Sequence, residues 1–255
     1  MAIFRLSKRA QHEQEFFDNL ASQNDVFYYW GWKTEVGRYR HHLRATIICS
    51  FLNLKPGVKS LELGCYMGEL TKKIAPTKAT ITATDIAPKS IVLAKKTVKK
   101  NINFLVDNIE KSKLKSNFFD SCFGNGILHH THLDSSLKEI KRVLKPGGKF
   151  IFFEPNILNP EIFLERKIPY LRKLSHSSPD ETAFVRFELK KTLEKSGFIN
   201  VKVEPFDFLF PLFPSIFLPI LKVVSKILEK TPLLKEFSGS LIVTGEKPTP
   251  PTLEH

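Results

Sequence analysis

Two adjacent histidines are the side chains in this sequence best suited to moving a proton near neutral pH. His129 and His130 follow a predicted strand, Ser121–Gly124. Ligands of parallel sheets bind beyond the carboxyl ends of the strands, so we expect one ring of the pair to face a cleft. We predict that His130, with His129 beside it, is the general base for an acceptor that must lose a proton. The alternative is that the rings bond backbone groups or cap the next helix.

A glycine turn indicates a second kind of chemistry, the binding of a nucleotide-like ligand. Residues 62–68 are Glu-Leu-Gly-Cys-Tyr-Met-Gly, between a predicted strand and a helix that begins near Glu69. Such a turn lets the backbone approach a ligand closely. A dinucleotide fingerprint would need glycine in place of both Tyr66 and Glu69, and a carboxylate at that helix start repels a pyrophosphate. Glu62 instead favours a ligand with positive charge near the turn.

Two aspartates follow the next two predicted strands. Asp85 comes directly after Thr80–Thr84, and Asp107 comes directly after Ile102–Val106. A carboxylate at the end of the second strand can accept both hydrogen bonds from a ribose diol. For Asp107, the alternative to binding a ligand is a role as a turn or helix-cap residue.

In this order and spacing, these segments resemble the class I S-adenosylmethionine-dependent methyltransferases. The first motif of that family is acidic-x-Gly-x-Gly-x-Gly, and residues 62–68 match it except at Tyr66. The family has glycine at this position, whereas a residue with a side chain is strained at positive φ. We therefore expect the Tyr66 backbone to avoid the positive-φ region. The resemblance extends over residues 58–156 and includes the Pro-Gly-Gly turn within Leu144–Phe150. It implies that S-adenosylmethionine is the cofactor.

The resemblance also implies roles for single residues. Asp85 would bind the ribose, Ile86 would flank the adenine, and Asp107 would accept a hydrogen bond from the adenine amino group. A carbonyl near Gly124 or Asn125 would receive the methionine ammonium. The predicted cofactor-binding residues are Glu62, Gly64, Cys65, Tyr66, Gly68, Asp85, Ile86, Asp107, Asn108, Gly124 and Asn125.

Short apolar runs alternate with helical stretches along the chain, which predicts an α/β fold. We expect a Rossmann-like, doubly wound, mostly parallel seven-stranded sheet with a reversed last strand, helices on both faces, and an apolar insertion before the last strand. The helices are expected to begin near Glu69, Pro88 and Leu133, with another over Glu188–Ser196. The predicted strands are Ser60–Leu63, Thr80–Thr84, Ile102–Val106, Ser121–Gly124, Lys149–Glu154, Asn200–Val203 and Ser240–Thr244.

Several segments outside this core are predicted to select the acceptor. Residues 1–45 form an N-terminal helical segment whose aromatic cluster, Phe27–Trp32, is a candidate lid, with a packed helix flank as the alternative. Residues 46–252 form the methyltransferase domain, in which the insertions 155–183 and 206–237 would cover the substrate. Residues 253–255 resemble the start of a purification tag. Glu154 and Asn156, at the end of the fifth strand, are expected to bind acceptor hydroxyls.

The insertion before the last strand has an unusual composition. Residues 208–221 carry no charge but contain three prolines, which argues against a membrane-spanning helix. Residues 215–230 have apolar side chains at helical spacing and several lysines on the remaining positions. This amphipathic helix caps either the core or the substrate pocket of the domain, or it contacts an anionic membrane surface.

Composition and absences narrow the function. The chain has 255 residues and a net charge of +13, but it has no appended RNA-binding module, so nucleic acid is not the expected partner. Its three cysteines are far apart and no Asp-Asp or Asp-Asn pair is placed for magnesium, so no metal is expected. No signal peptide is visible, which favours the cytoplasm, with peripheral contact at the inner membrane face left open.

The leading hypothesis for the activity is methyl transfer to an oxygen or carbon of a lipophilic or lipid-linked small molecule. The alternatives are an RNA methyltransferase and a cofactor-binding or membrane-docking protein without turnover.

Overall fold

One seven-stranded sheet organises the chain, with the strand order β3-β2-β1-β4-β5-β7-β6. The structure is a computed structural model that describes residues 6–23, 31–98 and 101–250. Strands β1 to β5 pair in parallel, whereas β7 is antiparallel to both β5 and β6. The predicted mostly parallel sheet with a reversed last strand is therefore confirmed. The strands are β1 Lys59–Leu63, β2 Thr80–Asp85, β3 Ile102–Val106, β4 Phe119–Asn125, β5 Leu144–Pro155, β6 Ile199–Phe206 and β7 Ser240–Glu246.

Helices cover both faces of this sheet, and local sequence signals fix where several of them begin. The Ser7, Thr34 and Asn159 side chains accept hydrogen bonds from the first-turn N–H groups of α1, α2 and α6. Pro88 and Pro169 stand in the first turn of α4 and α7, where no N–H donor is needed. The described helices are α1 Lys8–Ala21, α2 Glu35–Phe51, α3 Glu69–Ile74, α4 Pro88–Thr97, α5 Leu133–Val143, α6 Pro160–Lys167, α7 Pro169–Leu174, α8 Arg186–Lys195 and α9 Leu218–Lys230.

Two apolar cores lie on opposite faces of the sheet, because successive side chains of a strand point to opposite sides. In β5, Phe150 and Phe152 join one core, while Ile151 and Phe153 join the other. The first core is completed by α5 and α8, and the second by α2, α3 and α4. Strands buried on both faces account for the nearly continuous apolar runs in the sequence.

Most of the predicted elements lie where the sequence placed them, but some bounds differ. β5 begins at Leu144, so it includes the Pro-Gly-Gly segment that we expected to separate helix from strand. The strand accommodates that segment because the pairing with β4 shifts register between Phe119 and Ser121. β6 continues to Phe206 rather than ending at Val203.

The two insertions add helices at one end of the sheet. Residues 155–183 contain α6 and α7, and residues 206–237 contain a short 3-10 helix over Ser215–Phe217 followed by α9. In the described part of the chain, no helix combines the length and the apolar character that crossing a bilayer requires.

Candidate active site

A cavity of about 590 Å³ opens beyond the carboxyl ends of β1, β2, β4 and β5. This is the edge at which parallel α/β sheets bind ligands. Its walls come from α1, from the turns after β1 to β5, from α6 and α7, and from residues 210–212. Both predicted cover insertions therefore contribute to the cavity. Of the predicted aromatic lid, Trp32 lines the cavity, whereas residues 27–30 lie outside the described residues.

The glycine turn after β1 forms one wall. Gly64 has a φ of 64°, and a Cβ atom there would lie 2.7 Å from the Ile127 side chain, so no larger residue fits without displacement. Tyr66 has a φ of 45°, and our expectation that it avoids the positive-φ region is wrong. Its N–H donates to the Asp85 carboxylate at 2.8 Å, and its ring packs edge-on against Phe17, which stabilises this conformation.

Not every predicted cofactor residue faces the cavity. Gly64, Tyr66, Asp85, Ile86, Asp107, Asn108 and Asn125 line it, whereas Glu62, Cys65, Gly68 and Gly124 are not among the lining residues. Glu62 is buried behind the turn and accepts a hydrogen bond from Thr71 Oγ1 at 2.7 Å. Burial raises its pKa to about 8. The expectation that Glu62 presents a negative charge to the ligand therefore stays a prediction without support from the cavity lining, and its contact with Thr71 ties β1 to α3.

Asp85 joins the glycine turn to the end of β2. Its two carboxylate oxygens accept the N–H groups of Tyr66 and Ala87 at 2.8 and 2.9 Å. Each oxygen has a second lone pair, so the carboxylate can still accept two further hydrogen bonds from a ligand in the cavity. Burial raises the pKa of Asp85 to about 6, although the two backbone hydrogen bonds oppose that shift. The group is thus mostly ionised at neutral pH.

Asp107 lies one strand further along the same wall. Its Oδ1 accepts from Lys113 N at 3.3 Å, while its buried Oδ2 has no hydrogen-bond partner among the described residues. A buried carboxylate oxygen without a donor is costly. Burial raises the pKa of this group, and the nearby Ser112 hydroxyl and the Lys113 N–H oppose that shift. The oxygen is therefore suited to accept a donor from a bound ligand. The neighbouring Asn108 side chain instead caps a short 3-10 helix by accepting from Glu110 N.

The loop after β4 carries the two histidines and is held in place by β5. Glu154 accepts three backbone N–H groups of this loop, from residues 127–129, at 2.9 to 3.3 Å. It also contacts His129 Nδ1 at 2.7 Å. Asn156 Nδ2 donates to the carbonyls of Glu236 and Ser238. Our expectation that Glu154 and Asn156 bind acceptor hydroxyls is therefore not supported, since both are occupied by the protein itself.

Both ring nitrogens of His129 face carboxylates. Nε2 lies 3.1 Å from Glu181, opposite the Glu154 contact on Nδ1. Burial favours the neutral ring, but the hydrogen bonds and charges of the two glutamates prevail and raise the pKa of His129 to about 9. With both ring nitrogens on carboxylates, neither is free to accept a proton from an acceptor. These contacts favour a positioning role for His129 over a share in the base role that the sequence predicts for the histidine pair.

His130 is the second histidine of the pair and has a different environment. Its Nδ1 lies 3.0 Å from Glu13 of α1, and Glu13 also accepts the Ser178 hydroxyl at 2.5 Å. This leaves Nε2 as the ring nitrogen available to a substrate. Phe17 packs edge-on against the ring at 5.2 Å between centroids. A carboxylate on Nδ1 fixes the ring orientation and the tautomer, as a general base requires.

Two arginines of α2 also line the cavity. Arg40 and Arg44 both contact Asp207, at 2.6 and 3.1 Å. Arg44 also donates to Asn125 Oδ1 at 2.5 Å and to Ser240. These bonds fix the Asn125 side chain at the end of β4.

His129, His130 and Glu181 each offer one ligand atom within 4.8 Å of one another, a spacing compatible with a metal ion. Arg166 Nη2, however, lies 2.6 Å from the same Glu181 oxygen that contacts His129. A guanidinium at that distance repels a divalent cation. The cluster is better described as an alternating network of charges, and the expectation of no metal stays a prediction.

Comparisons with known proteins agree with this geometry. Residues 61–152 match the family model described as a methyltransferase domain. The demethylmenaquinone methyltransferase of Staphylococcus aureus is 27% identical over 178 residues, which is 61% of this chain and 73% of that protein.

Two solved structures illustrate the likeness of the fold. A methyltransferase of Thermotoga maritima, described as a possible histamine N-methyltransferase, has a TM-score of 0.64 at 19% identity and covers 91% of this chain and 99% of its own. The N-methyltransferase NodS of Bradyrhizobium japonicum, solved with S-adenosylhomocysteine, has a TM-score of 0.61 at 16% identity, with coverage of 93% and 99%.

The domain match, the sheet order and the site together support a class I S-adenosylmethionine-dependent methyltransferase. The residues present fit that cofactor. Asp85 has acceptor capacity for a ribose diol, and the Asp107 oxygen that has no partner among the described residues suits the adenine amino group.

Sequence reasoning missed the residues that complete the network around the histidines. Glu13 and Ser178 contact each other although they are 165 positions apart, and Glu181 is 52 positions from His129. Arg44 and Asp207 meet over a similar separation of 163 positions. One signal was available for Glu181, because it belongs to an Asp-Glu-Thr segment within a predicted cover insertion.

Proposed function

We propose that this enzyme transfers a methyl group from S-adenosylmethionine to an oxygen or carbon of a lipophilic small molecule, with His130 as the general base. The observation that carries the proposal is the pairing of His130 with the buried Glu13 at the cavity wall. A base is needed only where the acceptor must lose a proton, as a hydroxyl or an acidic carbon does.

The character of the cavity supports a lipophilic acceptor. Beside charged groups such as Glu161 and Arg166, the cavity wall has a set of apolar side chains from α1, from the first insertion and from the second. These residues are Phe16, Phe17, Ile162, Leu171, Leu174, Phe210, Pro211 and Leu212. The Staphylococcus aureus relative is a demethylmenaquinone methyltransferase, and a quinone is a molecule of this class.

In this proposal each residue of the site has a separate role. Asp85 and Asp107 would bind the nucleoside, and the cofactor when bound supplies an activated methyl group. His130 Nε2 accepts the proton of the acceptor, and Glu13 stabilises the imidazolium that results. Glu154 holds the loop through residues 127–129, and the charged His129 bridges Glu154 to Glu181. The aromatic and aliphatic walls exclude water from the reacting atoms.

Labelled methyl transfer tests this proposal. Enzyme and methyl-labelled S-adenosylmethionine are incubated with an organic extract of cell lipids, with isolated glycans, or with RNA, and the label is counted in each fraction. We expect label in the organic fraction and at least about a hundredfold slower transfer for His130→Gln. Glu13→Gln should slow transfer less and keep the affinity for S-adenosylhomocysteine.

The matched control is His132→Gln, because His132 is exposed and lies only two residues beyond His130. It should leave both transfer and cofactor affinity unchanged. Transfer to RNA in place of the organic fraction would contradict the proposed acceptor. A His130→Gln enzyme that transfers at the wild-type rate would contradict the proposed base.

A further inference from the structure

Helix α9 lies on the domain with its polar side inward. The most buried side chain of this helix is Ser225, which is 4% exposed and donates to Glu229 while accepting from Phe208 N. Glu229 in turn accepts from Asp207 N at 3.0 Å. These contacts attach the helix to the start of its own insertion through hydrogen bonds.

The outer side of the same helix is apolar. Ile220 is 63% exposed and Ile227 is 58% exposed, and Ile216, in the turn before the helix, is 79% exposed. An amphipathic helix that served only to cap the core would have these residues inside. The exposed isoleucines therefore argue against a helix that serves only to cap the domain's own core.

The first insertion also exposes apolar side chains. Tyr170 and Leu174 of α7 are 73% and 64% exposed, and Phe163, Leu164 and Ile168 are also exposed. Leu174, Phe210 and Leu212 are exposed and line the cavity at the same time. Leu174 of the first insertion, with Phe210 and Leu212 of the second, thus places exposed apolar side chains at the mouth of the active-site cavity. We call the exposed residues of 163–174 and 210–230 the mouth surface.

The charges on the mouth surface have one dominant sign. Lys226 and Lys230 of α9 are exposed, and so are Lys167 and Lys173 of the first insertion. Glu229, the one acidic residue of α9, is turned inward by its hydrogen bonds. Apolar side chains surrounded by lysines match the boundary between the acyl chains and the headgroups of an anionic bilayer.

We propose that the mouth surface docks the enzyme on an anionic lipid membrane, with α9 lying in the plane of the interface. Ile216, Ile220 and Ile227 enter the acyl region while the lysines contact the headgroups. The cavity mouth then faces the bilayer, and an apolar acceptor reaches His130 without crossing water. Only this last step, the delivery of the acceptor, rests on the proposed function.

Vesicle co-sedimentation without cofactor or acceptor tests the docking by itself. We expect the protein to bind vesicles of phosphatidylcholine and phosphatidylglycerol, and to bind phosphatidylcholine alone several-fold more weakly. Ile220→Asp with Ile227→Asp should reduce binding to the anionic vesicles at least about tenfold, because it removes apolar contact and adds negative charge. Lys226→Gln with Lys230→Gln should reduce it several-fold and weaken its salt dependence.

The matched control is Val92→Asp, since Val92 is 55% exposed on α4, away from the mouth surface. It should bind vesicles as the wild type does. An unchanged affinity for S-adenosylhomocysteine in the Ile220→Asp/Ile227→Asp protein shows that it is folded. Wild-type protein that stays in solution, or that uses this surface to form a dimer broken by the same double substitution, would overturn the proposal. Equal vesicle binding by the double variant and the wild type would overturn it as well.

Discussion

Replacing Asp85 with asparagine is the sharpest perturbation of the cofactor site. The carboxylate accepts two backbone N–H groups, and its remaining lone pairs are predicted to accept the two ribose hydroxyls. Asparagine removes the charge and one acceptor, and its NH2 group must face the N–H of Tyr66 or Ala87. Hydrogen bonds to a charged group contribute about 1.5 to 3 kcal/mol each, so we expect a loss of about 2 to 4 kcal/mol. That corresponds to about 30- to 1000-fold weaker binding.

Titration calorimetry with S-adenosylhomocysteine at neutral pH measures this loss. The matched control is Asp120→Asn, because Asp120 also accepts a backbone N–H, from Lys59 at 2.8 Å. Asp120 lies at the amino end of β4, whereas the cavity lies at the carboxyl end. The control should bind as the wild type does. A folded Asp85→Asn protein whose affinity is within about threefold of wild type would refute the assignment of the ribose to Asp85.

Two further predictions concern pH. Because burial raises the pKa of Asp85 to about 6, cofactor affinity should fall as the pH drops below that value and the acceptor carboxylate gains a proton; affinity that is flat between pH 7 and pH 5 in calorimetry would count against this. His129 has a folded-state pKa of about 9, above its ordinary value of 6.5, so its charge stabilises the fold at low pH and this contribution is lost as the pH rises through 9. The melting temperature should therefore decrease between about pH 6.5 and pH 9 more steeply in the wild type than in His129→Gln, and parallel curves would contradict the charge network.

The fold and the cofactor edge of the cavity are predictable from the sequence because the signals are local. Each strand contains a short apolar run, and each predicted nucleoside-binding aspartate either ends a strand or directly follows one. Asp85 and Asp107 both follow this rule, and both line the cavity. Parallel strands bring such positions to one edge of the sheet without any further information.

The backbone of Tyr66 is not predictable in this way. A non-glycine residue at positive φ costs about 1 kcal/mol or more, so the local rule favours an extended or helical conformation. The hydrogen bond to Asp85 and the ring contact with Phe17 offset that cost. Both partners come from other elements, at the end of β2 and in α1.

The charge network around the histidines and the orientation of α9 are likewise tertiary properties. Glu13 lies in a polar helix, and nothing in the sequence of α1 distinguishes it from the other glutamate there. Only the packing of α1 over the cavity brings Glu13 to His130. For α9 the spacing of apolar residues predicts an amphipathic helix but does not determine which side faces the domain. Ser225 and Glu229 decide that orientation through their bonds to residues 207 and 208.

A crystal structure with bound S-adenosylhomocysteine is the most direct test of the arrangement of cofactor and base. We predict that the ribose hydroxyls contact Asp85, that the adenine amino group donates to Asp107 Oδ2, and that the sulfur points toward the space beside His130 Nε2. A nucleoside bound away from both aspartates, or a sulfur directed away from His130, would contradict the account.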